Sequence, residues 1–263
     1  MKYGPFYIFK CPECPQTFSD MGIMSATGSS KLYSDGQNKF SFDLNDHCRL
    51  MRCENCKSIY WKYELETIGT YTDYDNEDHQ NLIYKTKKIS TPTIAQYFQA
   101  IKLKIYRDEE DLVYLRKKIW HSYNNRILFK KKIFIYKNEE KRWRNNINQL
   151  INLLVNHSKK FKKIKEDYKI INTTKSHLSS IEWKTEETLS KRIDFVEIEI
   201  EKKNWINELM LILAELHRNL EDYNKSIKIL NNISIIRNDG LNAMKKNILE
   251  QCNNENSFVV EIV

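Results

Sequence analysis

The sequence predicts a small β domain closed by a bound metal ion, followed by a larger all-α domain. Three observations carry that reading. Two Cys-x-x-Cys pairs lie at 11–14 and 53–56, and of the 6 Gly and 4 Pro only Gly240 falls beyond residue 92. From there on, apolar residues recur at helical rather than alternating spacing. At 263 residues the chain is long enough for one metal-stapled module and one core-forming domain.

The first pair reads Cys11-Pro12-Glu13-Cys14 and the second Cys53-Glu54-Asn55-Cys56. At this spacing a tight turn aims both sulfurs at one ion, and two such turns supply the four thiolates of a closed, tetrahedral zinc site. Iron in a rubredoxin-like site takes the same ligands. A filled thiolate shell leaves no position for water, so the expected role is structural. Without metal the segment has too little apolar core to fold alone, which couples binding to folding. Phe6 to Lys10 has strand character and leads into the first knuckle. Ser34-Asp35-Gly36 signals a hairpin, residues 39–42 alternate like a half-buried strand, and Arg49–Arg52 with Ile59–Trp61 flank the second knuckle. That order is a zinc ribbon with an extra hairpin between its knuckles. His47 and Cys48 read as a surface residue and a small buried one, the four ligands being already supplied.

Residues 1–65 are thus assigned to the ribbon, the polar stretch 66–90 to a linker or irregular segment, and 91–263 to helices. Thr91-Pro92 is expected to start a helix carrying Ile94, Tyr97, Phe98, Ile101 and Ile105. Asp108 to Asp111 suit the start of a second, with Leu112, Leu115, Ile119 and Trp120. Asn124-Asn125 is read as a break, and Ile127–Tyr136 as a periodic stretch better suited to helix than to strand. Asn138 is a candidate N-cap for a helix with Trp143, Ile147, Leu150, Ile151, Leu154 and Val155 on one face. Further helices are expected over Trp183–Leu220, Tyr223–Ile233 and Asp239–Cys252, with a strand-like tail over 258–263, whereas 158–180 carries no clear pattern.

The formal charge of +8 is uneven: residues 102–165 hold 19 Lys and Arg against 6 Asp and Glu. Lys130, Lys131, Lys132, Arg142, Arg144, Lys160 and Lys163 are therefore nucleic-acid candidates, with Phe129, Trp143 and Phe161 interleaved. A solvated helical face explains the same charge run, and the spacing of Trp143 with Ile147 and Leu150 places it in a core. The chain opens on strand-like residues without a basic-plus-apolar leader, and its most apolar run, Leu209–Leu216, contains Glu215 and is too short to span a bilayer. Paired knuckles then point to the reducing cytoplasm and no membrane partner. The six histidines form no nucleophile–base set and no phosphate loop is present, so a non-enzymatic protein is expected.

Leu213-Ala214-Glu215-Leu216-His217-Arg218 through Tyr223 resembles the heart of one tetratricopeptide-like (TPR-like) unit, with Ser226 at its second small position and Leu230 at the next large one. Together with CPEC at 11–14, Ser-Asp-Gly at 34–36, Cys53 to Cys56 followed by Trp61, and Trp120 to Arg126, the chain resembles a bacterial family that joins an N-terminal zinc ribbon to a TPR-like helical domain. It departs from that pattern at Pro15, where such ribbons carry Gly, and at Asn125, where Asp is expected. The resemblance implies a β zinc ribbon followed by an all-α TPR-like domain that binds another protein. The alternative is a nucleic-acid binder using 102–165 together with the ribbon.

Overall fold

A computed structural model of the chain describes residues 2–25, 30–40, 49–71, 85–89, 91–156, 204–235 and 238–262. They form two compact units, residues 1–31 with 39–122 and residues 32–38 with 123–263. Small, mostly antiparallel sheets occupy the N-terminal region and helices the rest.

In the first unit β1 (Lys2–Lys10) pairs antiparallel with β2 (Thr17–Ser25). The register slips between Tyr3 and Phe6, where Pro5 has no N–H to give the ladder. After the hairpin strands β3 (Ser30–Tyr33) and β4 (Asn38–Phe40), β5 (Leu50–Arg52) pairs with β6 (Ile59–Trp61). Strands β7 (Thr67–Tyr71) and β8 (Lys87–Lys88) complete a sheet of order β7-β1-β2-β8, so strands also form inside the polar stretch 66–90. Phe9, Phe18, Met51, Leu65 and Ile89 form its core around Cys11 and Cys53.

Helix α1 (Ile94–Lys102) starts two residues later than Thr91-Pro92 suggests. Thr93 is the N-cap because Gln96, three residues on, reciprocates: Thr93 Oγ1 accepts from Gln96 N at 3.3 Å and Gln96 Oε1 from Thr93 N at 2.6 Å. Helix α2 (Glu109–Leu128) is capped by Asp108, which accepts from Asp111 N at 2.8 Å. Trp61 is buried, donates its indole N–H to the Ile105 carbonyl, stacks on Tyr63 and tilts against Tyr114.

Asn124-Asn125 does not break α2. Asn124 is 1% exposed and donates to Asp35 Oδ2 at 2.8 Å, a tertiary partner that outweighs its poor helix propensity. Nor does Ile127–Tyr136 form a helix beyond Leu128. Lys130 takes φ 55°, Lys130 N bonds Ile127 O and Lys131 N bonds Arg126 O, the two bonds of a Schellman stop. Glu139 holds the loop beyond this stop: it accepts from the backbone N–H of Ile135 (2.6 Å) and Tyr136 (3.2 Å) and forms a bidentate pair with Arg126 at 2.8 and 3.1 Å. Burial opposes ionisation of Glu139, but Arg126 and the two N–H groups outweigh it and hold its carboxyl below the ordinary 4.5. Because the folded value is the lower one, this stabilisation is complete above the ordinary value and is lost as pH falls through the folded one. The Glu139→Gln variant should therefore be the less stable near neutrality, with the difference closing in acid; parallel melting curves across about pH 6 to 3 check this.

In the second unit the helix over 139–156 buries Trp143, Ile147, Leu150, Ile151 and Leu154, as the stripe predicts. A helix over 204–219 (α4, the 139–156 helix being α3) is followed by α5 (Tyr223–Asn231) and α6 (Asp239–Asn253). Leu211, Ala214, Leu230, Ile233, Met244, Ile248 and Cys252 share one core. Strand β9 (Glu261–Ile262) pairs antiparallel with β3 through Leu32↔Ile262 and Tyr33↔Glu261. The expectations for 41–42, 158–180 and 183–203 lie outside the described residues.

The Ser34-Asp35-Gly36 turn closes as expected, with Tyr33 N on Gln37 O and Gly36 N on Tyr33 O, both at 2.9 Å. Gly36 has φ 76°, and a Cβ there would meet Met244 Cε at 3.7 Å. Space is adequate but the left-handed backbone is not suited to a side chain, so Gly36→Ala should lose roughly 1–2 kcal/mol, read as a lower urea midpoint.

Candidate metal centre

Each cysteine pair forms the turn of an antiparallel hairpin, Cys11–Cys14 between β1 and β2 and Cys53–Cys56 between β5 and β6. The turns close by the same outer bond: Cys11 N donates to Gln16 O and Cys53 N to Ser58 O, each at 2.9 Å. The second knuckle adds Lys57 N on Cys53 O at 2.9 Å, with Lys57 at φ 66°. Pro15 occupies the equivalent place in the first knuckle and has no N–H, so that knuckle closes by the outer bond without the inner one.

The four Sγ atoms lie within 4.8 Å of one another. Cys11 and Cys56 sulfurs are 3.6 Å apart, as are those of Cys14 and Cys53. A disulfide needs about 2.05 Å, whereas a tetrahedron with bonds of about 2.3 Å has S···S edges of about 3.8 Å. Cys11 and Cys53 are buried in the core and Cys14 and Cys56 half-buried. The local fields differ. Burial pushes the Cys53 thiol up to about 12, whereas hydrogen bonds from the Ser58 side chain and backbone draw Cys56 down to about 6. The Asn55 side chain and the Gln16 backbone lower Cys14. Four sulfurs this close ionise together only around a cation, so the donor set fits a soft divalent metal.

Tyr60 is a contributor that the sequence did not single out. Its hydroxyl lies 3.8 Å from Cys11 Sγ and 3.9 Å from Cys56 Sγ, bridging the two knuckles. Beside ionised thiols it is the group with a proton to donate, and burial raises its own pKa and keeps it protonated. Outer hydrogen bonds of this kind fix ligand orientation, so Tyr60→Phe should weaken metal affinity about 10- to 100-fold; competition against a calibrated chelator measures it.

Lys130, Lys131 and Lys132 are exposed between α2 and α3, Arg142 is exposed on α3, and Arg144 pairs with Glu140 at 2.9 Å. Trp143 is buried and Phe129 is 66% exposed. Lys160, Lys163, Phe161, His47, Cys48, His79, His157 and His177 lie outside the described residues. His121 is buried against Trp120, and His217, whose pKa burial lowers, has Nδ1 3.5 Å from Asp222. Cys252 is a buried helix residue whose thiol donates to Ser226 Oγ at 3.2 Å.

The sequence also did not reveal a buried ionic cluster in the second unit. Ser34, Asp35, Glu215 and Arg218 are all 0% exposed. Arg218 grips Glu215 through Nε (2.7 Å) and Nη2 (2.5 Å) and donates Nη1 to the Asn256 carbonyl. Ser34 Oγ donates to Glu215 Oε1 at 2.7 Å and accepts from Val260 N at 3.1 Å. Asp35 accepts from Asn124 and from both the backbone and side chain of Gln37. The available signal was Glu215 inside the most apolar run of the sequence, Leu209–Leu216, with Arg218 just beyond it.

No helix among the described residues is long and apolar enough to cross a membrane. Comparison with protein-family models, with curated proteins and with solved structures finds no match.

Proposed function

We propose that the chain is a non-enzymatic adaptor in which zinc structures an N-terminal ribbon and a TPR-like helical domain binds another protein. The observation that carries this is the four-sulfur cluster: a metal held by Cys11, Cys14, Cys53 and Cys56 has all four positions filled by protein, leaving none for water or substrate. Zinc is the ion that four thiolates in a closed tetrahedron suit best. The TPR-like reading is supported by Ala214, Ser226 and Leu230, which are fully buried where small and large residues are needed at helix crossings. We place the protein in the cytoplasm, where thiolate sites of this kind persist.

A capture experiment from native lysate tests the reading, run with and without nuclease and at two salt concentrations. A discrete protein partner that survives both treatments is the expected result. Nucleic acid recovered at low salt and lost at high salt would replace the adaptor with the alternative reading, since released counterions make phosphate binding steeply salt-dependent.

A further inference from the structure

Between α2 and α3 the chain displays an unusual surface. Phe129, Ile135 and Tyr136 are 66%, 58% and 72% exposed. Lys130, Lys131, Lys132 and Lys137 are exposed in the same loop, and no Asp or Glu occurs between Asp111 and Glu139. Soluble surfaces seldom cluster large apolar side chains without a partner to cover them.

The loop is built to hold this arrangement. Its start is fixed by the Schellman bonds at Lys130 and Lys131. Arg126 donates to the Ile133 carbonyl at 2.7 Å, and the Arg126–Glu139 pair ties the backbone N–H groups of Ile135 and Tyr136. Phe134 turns inward, 6.0 Å from the Tyr123 ring and 5.4 Å from Trp143, which leaves its neighbours Ile135 and Tyr136 facing out. Little ordering entropy therefore remains to be lost on binding.

We infer that residues 129–137 form a docking surface for an anionic membrane, a partner the sequence reading did not expect. Charge and residue type select this occupant. Exposed apolar side chains interspersed with lysines along one loop match the boundary between acyl chains and anionic headgroups: Phe129 and Ile135 enter it, the Tyr136 hydroxyl stays at headgroup level, and the ammonium groups meet lipid phosphates. A single-stranded nucleic acid would use the two rings for stacking but has no role for an exposed isoleucine. Arg126, the group best shaped to grip phosphate bidentately, is spent on Glu139 inside the loop.

Flotation of the purified full chain with vesicles tests this without reference to any protein partner, so it can fail while the adaptor reading stands. Vesicles of phosphatidylcholine with about one-third phosphatidylserine should carry the protein upward, vesicles of phosphatidylcholine alone should not, and raised salt should weaken the binding. At about fivefold per lysine, the triple variant Lys130→Gln, Lys131→Gln, Lys132→Gln should bind about a hundredfold more weakly. The double variant Ile135→Asn, Tyr136→Ser should lose at least about tenfold by removing the inserted surface. Both variants change exposed side chains, and unchanged melting curves verify that they fold. Equal flotation with both lipids, or flotation unaffected by either variant, would overturn the inference. So would failure to float with the phosphatidylserine vesicles, and single-stranded oligonucleotide binding that the lysine variant abolishes would then assign the surface to nucleic acid.

Discussion

Replacing Cys53 with serine should release the metal and unfold the first unit. Cys53 is 0% exposed, its sulfur is 3.6 Å from that of Cys14, and it sits in the core with Phe9, Phe18 and Met51. Structural zinc contributes apparent binding energies of about 10–16 kcal/mol in small domains, comparable with the whole stability of an ordinary domain at about 5–15 kcal/mol. Loss of one of four ligands thus removes a decisive share. Metal analysis should find about one zinc per chain in the parent and far less in Cys53→Ser, with an early melting step. Chelation of the parent should reproduce that step. Full metal content with unchanged melting would exclude the four-sulfur site, and a coloured, iron-containing protein would replace zinc by iron.

Arg218→Met should be the most destabilising single change in the second unit. Burial disfavours the charged form of Arg218, and Glu215 more than compensates, raising its pKa. Removing the guanidinium strands the buried Glu215 carboxylate and leaves the Asn256 carbonyl without this donor. Breaking one side of a buried ion pair costs about 3–5 kcal/mol. Replacing both partners, Glu215→Leu with Arg218→Met, should recover much of that loss, because no buried charge is then left alone. Urea unfolding of the two single variants and the double variant gives the coupling directly. A change under about 1 kcal/mol for Arg218→Met would mean that the pair is not desolvated.

What the sequence made legible is what short-range chemistry determines. The knuckles, their flanking strands and the Asp-Gly turn each rest on residues a few positions apart, and each is present. Helix interiors were legible from periodicity, as at Trp143, Ile147 and Leu150. The ends expected at Leu220 and Cys252 lie within one residue of those observed, but the end of α2 was hidden, because Lys130 adopts the left-handed stop at φ 55°. Sequence reading looks for glycine there, and lysine gives no such signal. Long-range pairings were equally hidden. The Ser-Asp-Gly stretch revealed its turn but not its burial, since Ser34 meets Glu215 across 181 residues. Tyr60 passed for an ordinary strand residue because its role depends on sulfurs from both knuckles.

That long reach has a kinetic consequence. Residues 32–38 belong to the second unit, and Ser34 is satisfied by Val260, 226 positions later. At about 5–20 residues per second, synthesis separates the two by on the order of 10–50 s. Over that interval the 33–37 turn can form, whereas the partners that bury Ser34 are made only towards its end. Completion of the second unit therefore waits until residue 260 has been made, and closing so long a loop places its final docking among the slow steps of folding. A chain interrupted before residue 204 would keep the Asn124 partner of Asp35 but lack Glu215, Arg218 and Val260, the groups that satisfy Ser34.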